Sequence, residues 1–297
     1  MTSATRGLKN TSSADIISLA AIAITILGWA SAFPAIRVGL ETFGPAELGA
    51  LRFTVAALPA ALFLLISRPG LPRFNDAWRF VYGGAVFVAA YTLFLNYGEL
   101  TVSAGAASFI INVAPIITAV LAMIMLGERF SLFAWIGTAI SFAGIGLIAL
   151  GEGEGLKLDT GALFILGAAI CTATATIVQK PLFKAHGPLT VAAWNMVIGA
   201  VFLSPALLNG LTKAGVASAG SIGAVIYLGL VPSLVAYGAW AIALSRLPAG
   251  RASNYLYCIP PVATLMGVVW LGEIPGPFGI VGGLMALGGV IVVNLRK

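Results

Sequence analysis

Ser103 to Leu150 reads SAGAASFIINVAPIITAVLAMIMLGERFSLFAWIGTAISFAGIGLIAL, and the chain says it twice. A slide of 145 residues lays this stretch without a gap on Pro248 to Leu295, PAGRASNYLYCIPPVATLMGVVWLGEIPGPFGIVGGLMALGGVIVVNL. The same residue types fall at Ala104/Ala249, Gly105/Gly250, Ser108/Ser253, Pro115/Pro260, Leu126-Gly127-Glu128/Leu271-Gly272-Glu273, Gly137/Gly282 and Gly144/Gly289. Shared apolar composition would not reproduce glycine, proline and glutamate in register. Each half is too long for a solenoid unit and suits a bundle of membrane helices.

Composition fixes the solvent. The chain is 60% hydrophobic and 9% charged, with a mean hydropathy of +1.03, whereas a water-soluble domain carries about a quarter charged residues. This is a polytopic membrane protein. The net charge of +6 comes from Lys and Arg scattered singly between apolar runs, which make no basic stripe for nucleic acid. Cys171 and Cys258 sit inside apolar runs as small soft hydrophobes, and His186 stands in a short loop without a partner ligand. No metal and no cofactor are expected. The run from Ile16 to Ile36 is longer than a signal-peptide core and reads as an uncleaved first helix, despite Ala30-Ser31-Ala32.

Counting apolar runs of about 20 residues gives spans near 16–38, 46–67, 78–98, 103–126, 132–150, 160–181, 188–208, 221–245, 249–271 and 277–295. Five spans per half is odd, so equivalent helices must cross the membrane in opposite directions. The expected fold is an all-α membrane protein of ten transmembrane helices, built as two inverted five-helix repeats around a central cavity. Its divisions are a cytoplasmic tail over 1–15, the first repeat over 16–150, a periplasmic linker over 151–159 and the second repeat over 160–297.

Positive charge sets the orientation. With the N-terminus inside, twelve Lys and Arg, among them Arg68, Arg73, Arg129, Lys184, Arg246 and Arg251, face the cytoplasm, against Arg37, Lys157 and Lys213 outside. Arg52 is left within the second span, near its outer end. Both termini are therefore expected in the cytoplasm, with Thr160 and Ser221 reachable by label from outside and Lys184 from inside.

Some groups inside the spans are ones that lipid would not tolerate. Proline inside a span frees a backbone carbonyl, which is sustainable only where protein or a water-filled cavity satisfies it. Pro115 and Pro260 occupy equivalent places in the two halves and read as hinges. Polar and aromatic groups gather at mid-span: Trp29, Tyr91, Asn112, Thr172, Tyr237, Trp240 and Tyr257. Together they form the expected substrate pocket, with Asn112 and Tyr257 three residues before the paired prolines. The bland alternatives are an interfacial aromatic belt and threonines bonded to their own preceding turn. The fifth and tenth spans are instead rich in Gly and Ala, which permits close helix approach and a possible homodimer through those two helices.

Gly28-Trp29-Ala30-Ser31, the Leu51-Arg52-Phe53 triplet after Pro45, and above all Ala104–Glu128 and Ala249–Glu273 resemble the drug/metabolite transporter superfamily. The likeness is to its ten-helix members made of two EamA domains, including the YddG-type exporters of aromatic and other amino acids. The resemblance implies an inner-membrane exporter of amino acids or similar small metabolites, with a cavity lined by spans one, three, four, six, eight and nine. The chain departs from the pattern at Cys171-Thr172, where a Trp-Ala pair is frequent, and at Glu99, where an apolar residue is usual. The rivals are a drug or nucleotide-sugar carrier of the same superfamily and a non-transporting scaffold. A helix-borne nucleophile with its base, paired acids or a metal set would mark an enzyme, and the sequence has none. Its ten acids lie at span ends or in loops, Glu99 included, so transport is expected to follow the substrate's own gradient, with proton antiport through Glu99 the alternative.

Overall fold

With no water in the bilayer core, a spanning segment must satisfy its peptide groups internally, and these apolar runs do so as helices. A computed structural model describes residues 13–70, 72–102, 104–151, 160–271 and 276–294. The linker over 152–159 and Glu273 lie outside the described residues. Seven helices are long and apolar enough to cross a membrane: Ile16–Leu40, Pro45–Ser67, Phe74–Gly98, Phe109–Leu126, Thr160–Lys184, Pro188–Ala214 and Ala219–Arg246. Two shorter apolar helices, Leu132–Ile148 and Pro277–Val293, and the segment that runs through Ala249–Asn254, Tyr255–Cys258 and Ile259–Leu271, complete ten spans. All described elements are helical. The third span begins earlier than the sequence reading, at Phe74, and the seventh continues past a tight turn at Ser204–Ala206 into Leu207–Ala214, because the amphipathic surface there still supports helix.

The inversion can be read from one crossing. Gly137 meets Gly289, Ser141 Oγ donates to the Ala286 carbonyl at 2.9 Å, and Gly144 meets Gly282. As residue numbers rise along the fifth span they fall along the tenth, so the two helices run antiparallel. Ser141 and Ala286 are repeat mates, and exchanging the halves turns the Gly137–Gly289 contact into the Gly282–Gly144 contact. Equivalent helices related in this way cross in opposite directions. These four glycines, on the two helices that the sequence offered as a dimer face, are occupied within one chain.

Departures from regular helix recur at equivalent places as well. The third span widens into a π-helical stretch at Gly83–Ala90 and the eighth at Gly229–Val235, around Pro232. The fourth span is interrupted between Ile111 and Ala114, and the ninth tightens at Tyr255–Cys258. Such stretches mark functional positions more often than chance. The main core lies between them: Phe53, Phe87, Tyr237 and Trp240 are buried together with the small residues of the first and ninth spans.

Candidate functional site: a cavity at the repeat interface

Where the irregular turns face one another, a cavity remains with about 60 Å³ of room for the centre of a water-sized sphere. The first span contributes Trp29, Ala32, Phe33 and Ile36, the third Tyr91 and Leu95, and the fourth Ile111, Asn112, Ala114 and Pro115. Thr172 comes from the sixth, Tyr237 from the eighth, and Leu256 and Ile259 from the ninth. Apolar walls with a few polar groups are what a small-solute site requires.

The aromatic wall is fixed by bonds at its back. Trp29 Nε1 donates to the Pro232 carbonyl at 3.2 Å, which supplies a partner at the wide turn of the eighth span. Its ring meets Tyr237 edge to face at 5.4 Å and Trp240 at 5.6 Å. Tyr237 donates to the Phe87 carbonyl at 3.3 Å, within the wide turn of the third span. Both π-helical stretches therefore feed carbonyls to the cavity's aromatic groups.

One lining residue was not expected there. Arg52 comes from the second span and is 3% exposed. Its Nε donates to Ser233 Oγ at 2.7 Å, and that hydroxyl donates to the Leu228 carbonyl at 2.8 Å, a five-residue reach that the wide turn makes available. The sequence did show a lone arginine inside an apolar span, which is the usual sign of function in a membrane. Its assignment to the outer end missed that helix packing carries it to the cavity wall.

Glu99 is a second correction. It was read as closing the third span at its outer end, yet it is only 9% exposed and neither carboxylate oxygen has a hydrogen-bond partner among the described residues.

The sequence profile of the EamA-like transporter family matches residues 16–150 and again residues 159–295. The chain belongs to that family. This EamA transporter is 38% identical over 279 residues to the "Probable terminal-alkyne amino-acid exporter" of Streptantibioticus cattleyicolor, covering 93% of each chain. It is 34% identical over 271 residues to the "Uncharacterized transporter YdfC" of Bacillus subtilis, covering 90% of this chain and 88% of that one. A crystal structure superposes on 97% of this chain and 100% of its own with a TM-score of 0.75 at 20% identity, and it shows the same fold. The family and its transporter-named relatives make the protein a transporter and not an enzyme.

Two of the seven pocket residues read from the EamA transporter's sequence are placed elsewhere. Trp240 stands behind Trp29 as a second layer of the wall. Tyr257 is 0% exposed and packs with Ile145, Ala286 and Val290 against the fifth and tenth spans. The tight turn Tyr255–Cys258 rotates its neighbour Leu256 to the cavity, so the repeat mates Asn112 and Tyr257 do not share a facing. The paired prolines divide likewise: Pro115 lines the cavity and Pro260 does not. Thr174 and Thr176 make the local bonds of the bland reading, to the Ile170 and Thr172 carbonyls at 2.8 Å each, and only Thr172 of that trio reaches the cavity.

A buried hydroxyl with no partner costs about 1–3 kcal/mol, and the Tyr257 hydroxyl has none among the described residues. Tyr257→Phe is therefore expected to leave transport at the wild-type rate and to raise the thermal unfolding midpoint. A lower midpoint or a tenfold fall in flux would put Tyr257 back among the pocket groups.

Proposed function

We propose that this transporter exports an amino acid or a closely related small metabolite across the bacterial inner membrane by alternating access. The observation that carries this reading is the small central cavity, which combines aromatic walls with a single buried guanidinium. The relative named as an amino-acid exporter supports the same substrate class. A nucleotide sugar would bring a diphosphate to a cavity whose wall holds one arginine, and such a pairing would leave negative charge uncompensated.

Closures at both ends of the bundle support alternating access. At one end Lys213 pairs with Glu47 at 2.6 Å and Thr42 bonds Ser221 at 2.8 Å, tying the first two spans to the seventh and eighth. At the other, Lys180 donates to the Leu244 and Leu247 carbonyls, and Glu128 takes the backbone N–H groups of Ala249 and Gly250. Domain limits at 16–150 and 160–297, hinges at Pro115 and Pro260, and cytoplasmic termini belong to this proposal. The excess of Lys and Arg at the Lys184 end supports the orientation.

Counterflow in proteoliposomes against a panel of amino acids tests the function, and absence of flux for every member would favour a scaffold. Downhill flux is expected to be the same with and without an imposed pH gradient. Concentrative flux that collapses with that gradient, and is lost in Glu99→Gln, would establish proton antiport instead. Topology is tested by cysteine labelling. Ser221 is buried in its bond to Thr42, so the outer-end probe moves to Val216, which is 90% exposed. Cysteine there and at Thr160 should react from outside the cell and cysteine at Lys184 only from the cytoplasm; the reverse pattern would invert the orientation.

A further inference from the structure

We infer that Arg52 is the carboxylate reader of the cavity: it takes the substrate's carboxylate, which makes an amino acid, rather than the corresponding free amine, the matched ligand. This rests on the transport reading above and names the group that sets its specificity.

A guanidinium inside a membrane is costly and is kept where it has a partner or a task. A structural arginine would spend its planar fork on carbonyls or a carboxylate. Arg52 does not. Its Nε is held by Ser233, and its two terminal nitrogens have no hydrogen-bond partner among the described residues, while the side chain forms part of the cavity wall. The Ser233 hydroxyl is already committed to the Leu228 carbonyl, so the serine fixes the guanidinium's orientation and leaves the fork open. A carboxylate is the group that such a fork matches with two parallel bonds.

Glu99 stands one helical turn beyond Leu95 and two beyond Tyr91, both of which line the cavity, but it is not itself part of the wall and makes no hydrogen bond to Arg52. A direct salt bridge would have closed the site, and without one the guanidinium stays available to the substrate. An amine without a carboxylate would leave Arg52 unmatched. Tyr91, Asn112 and Thr172 lie between apolar walls to orient what remains.

The test uses the purified full-length protein in lipid nanodiscs and three probes that share one carbon skeleton: L-propargylglycine, but-3-yn-1-amine, which lacks its carboxylate, and pent-4-ynoic acid, which lacks its amine. L-phenylalanine, phenethylamine and 3-phenylpropionate form a second set. Binding is read by calorimetry, so passive leakage of the small amine or acid through lipid does not matter. A charge-assisted pair that is lost typically costs tenfold or more in affinity. The wild type should bind an amino acid at least about tenfold more tightly than its amine. In Arg52→Gln the amino acid should weaken to the level of its amine, and the acid should weaken with it. Ser233→Ala, which keeps the charge but frees its orientation, should fall between wild type and Arg52→Gln. An Arg52→Gln protein that elutes as a folded monodisperse species and still prefers the amino acid about tenfold over the amine would overturn the assignment. Should that variant fail to fold, the wild type alone decides, because equal binding of amine and amino acid would overturn it as well. Counterflow of an amino acid by the wild type, measured alongside, separates these outcomes from failure of the transport reading itself.

Discussion

Alanine at Gly144 is expected to destabilise the folded protein by about 1–3 kcal/mol, the usual range for overpacking a close interface, and the thermal midpoint should fall by several degrees. A Cβ on Gly144 would lie 2.6 Å from both the Gly282 carbonyl oxygen and the Ala286 nitrogen. Both are backbone atoms of the tenth span, and no side-chain rotation can relieve the contact. The fifth and tenth helices would have to separate, which would also stretch the bond from Ser141 Oγ to the Ala286 carbonyl. Because the crossing maps onto itself when the repeats are exchanged, alanine at the repeat mate, Gly289→Ala, should cost about as much: its Cβ would run into the Gly137 carbonyl oxygen and lie 2.6 Å from the Ser141 nitrogen. Gly288 lies on the same tenth helix with nothing within 4 Å of the added atom, and alanine there should be neutral or stabilising, since glycine in a helix is about 1 kcal/mol worse than alanine. Equal midpoints for Gly144→Ala and Gly288→Ala would mean that the two spans do not cross as described.

That crossing also shows how much of the fold was legible in the sequence. The register of Gly137 and Gly144 with Gly282 and Gly289 announced a repeat, the odd count of spans announced inversion, and the small-residue faces announced close packing. Their partner was not legible. Small residues at four-residue spacing state that a backbone approaches but not whose, and here it belongs to the same chain. The cavity was legible in part for the same reason. Trp29, Tyr91, Asn112, Thr172 and Tyr237 stood out as polar or aromatic groups at mid-span. Regular helical periodicity cannot foresee the π-helical stretch that brings the Phe87 and Pro232 carbonyls to Tyr237 and Trp29, nor the tight turn that sends Tyr257 away from the cavity and Leu256 into it. Arg52 was visible as an intramembrane charge, yet its depth along the span hid its direction around the helix. Glu99 failed in the opposite sense: a position at a span end implied water, and tertiary packing removed it.

Glu128→Gln is expected to open the end of the bundle where the fourth span meets the ninth. Glu128 Oε1 accepts from the Ala249 N–H at 2.6 Å and Oε2 from the Gly250 N–H at 3.0 Å, at the point where the ninth span begins with helix Ala249–Asn254. Two unpaired N–H groups and the positive end of a helix are matched there by one carboxylate. Glutamine keeps the shape and one acceptor but turns an NH₂ toward an N–H. A hydrogen bond to a charged group is worth about 1.5–3 kcal/mol, and every 1.4 kcal/mol is about tenfold in an equilibrium. The population open at that end should therefore rise about ten- to a hundredfold. The measurement is the labelling rate of a cysteine placed at Thr172 in the cavity, with Cys171 and Cys258 replaced by alanine and reagent added only from the Glu128 side. The control is Lys213→Gln at the opposite end. Its pair with Glu47 is the shortest ion pair among the described residues, but the lysine is 48% exposed, and exposed pairs contribute about 0–1 kcal/mol, so its loss should change the rate little. A Glu128→Gln protein that labels at the wild-type rate would show that this contact only caps a helix. Faster labelling together with faster exchange of substrate would mean that release of Glu128 from the ninth span limits the return step of the cycle, and the glutamate that ends the repeated Leu-Gly-Glu would then act as a latch on conformational exchange as well as a cap.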